Sequence, residues 1–158
     1  MRSTRGTSLA EVVIVLVTLA ALLLIAVPSL ARARSRVELA AARQAFASAH
    51  AMARQIAAQY GRISRLHLDP GGRRFWVAVD TSSRIGVEAL DTIIYVTLGG
   101  AGSSGVEVEA APRTLCFDPR GLATSRGDCD LPNHTVVLRH GDLADTVTIS
   151  RLGRLLRR

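Results

Sequence analysis

From Leu9 to Val27 the chain has almost no polar positions: Glu11 stands near the start, Thr18 in the middle, and every other residue is apolar. At about 1.5 Å per residue, a helix over this stretch nearly crosses a hydrocarbon core of roughly 30 Å. After Pro28 the pattern changes. Leu39, Ala42, Phe46, Ala49, Ala53, Ile56 and Tyr60 recur at steps of three and four, which is one apolar stripe on a helix. Arg32, Arg34, Arg36, Arg43 and Arg54 mark its polar surface. Pro28 removes one backbone hydrogen bond, so it predicts a kink; good helix formers on both sides argue against a break. Gly61 is the natural stop. The expectation is one helix of about fifty residues, apolar all round in its first half and amphipathic in its second.

Beyond Arg62 the period shortens. Ile63–Leu68 and Arg73–Asp80, joined by Asp69-Pro70-Gly71-Gly72, read as a β-hairpin. By alternation Phe75, Val77 and Val79 share one face, and Trp76 and Ala78 the other. Thr92–Leu98, Val106–Glu109, Arg113–Phe117, His134–Arg139 and Thr146–Arg151 are further short strands. Gly99–Gly105 is a glycine-rich loop; no Lys follows it and no helix is signalled, so a phosphate-binding loop is not indicated. A long helix laid on a small antiparallel sheet is an α+β arrangement.

Composition changes this picture in three places. The 158 residues allow one ordinary domain beside an apolar anchor. The net charge is +7 and every basic residue is Arg, so any basic patch is able to fork onto phosphate or carboxylate. Arg2 and Arg5 precede the apolar run, which keeps that end cytoplasmic under the positive-inside bias and exports the rest. On the exported side Cys116 and Cys129 enclose twelve residues, and an oxidising compartment favours a disulfide between them.

Glu11 is the odd residue, because an ionisable group in an apolar span costs roughly 2.5–3.5 kcal/mol and usually has a partner. Its position carries a resemblance. Gly6 closes a short basic leader, Glu11 is fifth after it, and Pro28 lies seventeen beyond Glu11. This segment resembles the signal sequence of type IV pilins and type II secretion pseudopilins, with Thr7 where that family usually carries Phe. The head resembles the GspH/FimT family of minor pseudopilins and minor pilins, on F-D-P-R-G at Phe117–Gly121 and T-I-S-R-L-G-R at Thr148–Arg154.

The resemblance implies prepilin peptidase cleavage between Gly6 and Thr7 and N-methylation of Thr7. It implies that Glu11 pairs with the terminal amine of a neighbouring subunit. Residues 1–6 become a leader, 7–28 a transmembrane assembly helix, 29–61 its amphipathic continuation and 62–158 a periplasmic β-rich head. The fold it implies is pilin-like, with no cofactor and no catalysis. The partners are other minor and major pseudopilins or pilins, the peptidase and the inner membrane. The implied function is that of a minor pseudopilin at the tip of a type II secretion pseudopilus. One alternative is a FimT-like minor pilin binding DNA; another is a secreted or anchored β-rich binding domain, with a signal peptide cut after Ala31 or Ala33.

Other candidates are weaker. Arg151, Arg154, Arg157 and Arg158 form a basic tail that reads either as a solvated strand end or as a DNA phosphate contact, with only six aromatics in the chain for base stacking. Asp118, Asp128, Asp130 and Asp142 match no calcium loop and read as turn residues; no metal is expected. His50, His67, His134 and His140 are scattered and form no catalytic motif.

Overall fold

The computed structural model describes residues 9–81, 90–98, 105–130 and 133–157. The chain forms two compact units, residues 1–36 and 37–158. One helix, α1 (Leu9–Tyr60, 52 residues), contributes to both and includes Pro28. Its end is a glycine cap. Gly61 takes φ +64°, and the Arg62 N–H reaches back to the Ala57 carbonyl at 3.2 Å, as in a Schellman closure.

Unit two holds two antiparallel sheets where the sequence suggested one. The first contains β1 (Ser64–Asp69), β2 (Arg74–Asp80), β3 (Leu90–Thr97), β5 (Arg113–Phe117) and β6 (Ala123–Thr124), in the order β3-β2-β1-β5-β6. The second contains β4 (Glu107–Glu109), β7 (His134–His140), β8 (Leu143–Ile149) and β9 (Leu155–Arg157), in the order β4-β7-β8-β9.

The β1–β2 hairpin turns where its residues dictate. Asp69 accepts the Gly72 N–H at 3.1 Å and pairs with Arg74 at 2.7 Å. Two elements were not anticipated. β6 is only two residues long, and β9 lies in the Arg-rich tail. β8 also starts earlier than expected and stops at Ile149, because Ser150–Arg154 is a turn and not a strand end.

The core lies between the second part of α1 and the sheets. Leu39, Ala42, Phe46, Ala49, Ala53 and Ile56 are buried there with Leu66, Phe75, Val77, Val79, Phe117, Leu138 and Ile149. Four alanines on the buried helix face, counting Ala57, let backbone approach backbone, and Ser64 Oγ donates to the Ala53 carbonyl at 2.6 Å. Phe46 meets Phe75 edge-on at 5.7 Å. Tyr60, expected on this stripe, is exposed; Ala57 and His50 are buried instead. Arg43 and Arg54, expected on the polar surface, are half-buried against the head, on Asp145 at 3.2 Å and on the Gly121 carbonyl at 2.8 Å.

Candidate assembly helix and basic recess

The first candidate is unit one. Every residue from Leu9 to Arg34 is exposed, including Val12–Val17 and Leu22–Ile25. An 18-residue window of this helix has a mean hydropathy of 2.9, so it is long and apolar enough to cross a membrane. Its uncharged polar groups are satisfied within the helix. Thr18 Oγ1 donates to the carbonyls of Ile14 and Val15 at 3.0 and 2.9 Å, and Ser29 Oγ to that of Ala26 at 2.8 Å. Pro28 has no N–H to offer the Leu24 carbonyl. Glu11 lies exposed in the first turn, where a carboxylate complements the helix dipole. Gly6, Thr7 and the cleavage and methylation expected there lie outside the described residues.

The second candidate is the joint where the head's two sequence motifs meet. Asp118 folds F-D-P-R-G around its carboxylate, which accepts the Arg120 and Leu122 N–H groups at 2.9 Å each. Burial alone would raise this carboxyl's pKa, but those bonds and the Arg120 guanidinium hold it below the usual range. The turn Ser150–Arg154 leans on that loop's flanks. Gly153 has φ +75°, and a Cβ there would sit 3.0 Å from both the Phe117 ring and the Ala123 Cβ. From α1, His50 is buried and meets the Phe117 ring edge-on at 5.1 Å. Burial, and secondarily Arg54, pulls its pKa down from 6.5 to about 4, so His50 is neutral at pH 7. The resemblance-bearing residues therefore act as a packing joint between helix and head.

The expected disulfide is present, Cys116–Cys129 with Cα atoms 5.6 Å apart. It holds residues 128–130 against the face of the first sheet that points away from α1. Asp128 reaches the buried Arg65 at 3.4 Å, and Asp130 accepts the Thr114 N–H at 2.8 Å. Asp142 lies exposed between β7 and β8. The four aspartates thus serve three separate places, Asp128 and Asp130 sharing one. The histidines are spread too: His67 stacks on Trp76 at 5.0 Å, and His140 lies 3.5 Å from Glu38.

The third candidate is a recess of about 780 Å³ lined by Arg113, Ala123, Thr124, Ser125, Asn133, His134 and Arg151. Of the tail arginines it gathers Arg151. Arg154 is exposed beyond the turn, Arg157 pairs with Val147 through β9, and Arg158 lies outside the described residues. Arg113 was not singled out from the sequence. It stands 38 positions from Arg151, and only the topology joins them. Burial, then Arg113, hold the His134 pKa below its ordinary range. Its Nδ1 faces the Asn133 carbonyl at 3.0 Å, which can only accept, so Nδ1 carries the proton.

A 52-residue N-terminal helix packed through its later turns on antiparallel sheets is the pilin fold. The chain is similar to the crystal structure of the type IV minor pilin FimU of Pseudomonas aeruginosa, with a TM-score of 0.54 and 18% identity. The likeness covers 78% of this chain and 90% of that one, and at this identity it bears on the fold. No family model and no curated protein matches the sequence.

Proposed function

We propose that the chain is a structural subunit of a pilus-like filament, more narrowly a minor pseudopilin at the tip of a type II secretion pseudopilus. The observation that carries this reading is the exposed apolar helix with one carboxylate in its first turn, on a pilin-fold head. Prepilin peptidase removes residues 1–6, and Thr7 becomes an N-methylated terminus. The protein then sits in the inner membrane as a single span, its head in the periplasm. Glu11 pairs with the Thr7 amine of an adjacent subunit. A lone carboxylate in lipid is costly, and a cation at the same depth relieves that cost, so the pairing sets axial register. Pro28 kinks the helix at the membrane boundary. The role is one of binding other minor and major subunits, without catalysis and without a cofactor or metal.

N-terminal sequencing of the matured protein tests the processing step: a start at Thr7 supports it, and a start beyond Ala31 sinks it. Glu11→Val should still insert in the membrane but no longer co-purify with the other tip subunits. Normal incorporation of that variant would remove the role of Glu11.

A second reading, a minor type IV pilin, is favoured by the likeness to FimU. In its FimT-like form Arg151, Arg154, Arg157 and Arg158 contact DNA phosphates. A gel shift that weakens steeply with salt and is lost in Arg154→Glu plus Arg157→Glu would support it. Deleting the chain separates the two systems: one predicts lost protein secretion, the other lost pili or DNA uptake.

A further inference from the structure

The recess between β5, β6, β7 and the β8–β9 turn gathers two arginines among uncharged polar groups. Several other arginines of the head have carboxylate partners: Arg43 with Asp145, Arg62 with Asp80, Arg65 with Asp128, Arg74 with Asp69 and Arg139 with Glu109. Among the described residues Arg113 and Arg151 have none, and no carboxylate lines the recess. What lines it beside them is the hydroxyls of Thr124 and Ser125, the Asn133 amide and the neutral His134. These groups come from four separate chain segments and meet in one hollow, open to solvent. A second hollow of about 140 Å³, lined by Leu68, Ala110, Ala111, Leu115, Thr135 and Val136, shares Arg113 and His134 with it.

We propose that this recess binds a phosphomonoester group. Charge and donor count select that class. Two guanidiniums beside a neutral imidazole present a charge of +2, which a phosphomonoester balances with its charge of about −1.5 to −2 and three acceptor oxygens. A phosphodiester or a carboxylate brings only one negative charge and would leave one guanidinium uncompensated. Guanidinium forks suit tetrahedral oxyanions geometrically as well. The site differs from a track of exposed arginines along a nucleic acid chain, because its polar groups line one hollow. It does not depend on the filament reading, and its failure leaves that reading intact.

Calorimetric titration of the full chain in a non-ionic detergent, at low salt and fixed neutral pH, tests the site. The ligands are inorganic phosphate, phenyl phosphate and dimethyl phosphate. The monoanionic diester should bind at least about tenfold more weakly than the dianions. Tighter binding of phenyl phosphate than of phosphate identifies an organic monoester whose body enters the neighbouring hollow. Equal binding identifies the free anion. Arg113→Gln and Arg151→Gln should each weaken binding about tenfold, and Arg139→Gln, paired elsewhere with Glu109, should not. If Arg113→Gln fails to fold, the exposed turn residue Arg151 decides the matter. Absence of saturable binding, equal affinity for diester and dianion, or an unaffected Arg151→Gln overturns the proposal.

Discussion

The two parts of α1 are both rich in apolar residues, yet they have opposite relations to the rest of the molecule. From Leu9 to Arg34 every side chain is exposed; from Leu39 to Ala57 one face is buried against the sheets. The first part has large aliphatic side chains on every face and offers no polar side to water. The second carries a narrow stripe whose small members, Ala42, Ala49, Ala53 and Ala57, fit beneath a sheet. Apolar content alone does not decide burial. What decides it is whether the apolar positions leave a polar face behind. A helix that is apolar all round calls for a surrounding of lipid or of other helices, and unit one is built for that.

The comparison breaks most easily at Phe46, which is 1% exposed and sits edge-on to Phe75. Phe46→Ala removes a ring from the centre of the helix–sheet contact and should cost about 3–5 kcal/mol of head stability. Chemical denaturation of the full chain in detergent, followed by the fluorescence of Trp76, measures it. A loss below about 1 kcal/mol would mean that the second part of α1 does not depend on its stripe.

Next in size is the disulfide. Its thirteen-residue separation gives about 3 kcal/mol by the loop-entropy argument, and it also ties residues 128–130 to the first sheet. Cys116→Ser with Cys129→Ser should lower the head's unfolding midpoint by that amount and leave unit one helical. An unchanged midpoint would show that the ion pair of Arg65 with Asp128 and the bonds of Asp130 hold the segment without the bridge.

A smaller effect is written in His50. Its folded pKa, about 4, lies below the ordinary 6.5, so the unfolded chain binds more protons between those values. Stability is therefore full above pH 6.5 and falls as the pH drops through that window. Between pH 8 and pH 5 the loss should be about 2 kcal/mol from His50 alone. His67 and His134 are shifted in the same direction, each chiefly by burial, and add to the slope. His50→Gln removes the titrating ring and should flatten the dependence. A slope equal to that of the unaltered chain would place the titration elsewhere.

Much of this contrast was legible in the sequence, because it rests on local pattern. The apolar run, the three-and-four stripe, the glycine stop and the β1–β2 hairpin all follow from neighbours in the chain. The misses have one cause, which is contact across long separations. Arg43 and Arg54 looked like solvated positions, and their partners Asp145 and Gly121 are brought to them only by the fold. β9 and the turn before it were hidden in an arginine-rich tail, although Gly153 was already marked as part of a motif. Its reason, contact with Phe117 and Ala123, needs coordinates. The recess was half visible: Arg151 drew notice as one of a cluster, whereas Arg113 stood alone as the first residue of a strand.

The smallest expected effect is also the sharpest separation of the two regions. Leu23 is 51% exposed in unit one, and nothing in the head's core involves it. Leu23→Ala deletes as much hydrocarbon as a core truncation, yet the head's unfolding midpoint should stay within about 0.5 kcal/mol of the parent. The same substitution at Leu39, buried at the start of the stripe, should cost about 2 kcal/mol or more. If both variants behave alike, the two parts of α1 are energetically one element and the division drawn here fails. If they diverge, the hydrocarbon of Leu23 contributes only outside the folded chain, in lipid or against a neighbouring helix. A Leu23→Ala chain that keeps its head but packs poorly into filaments would then show that contribution directly.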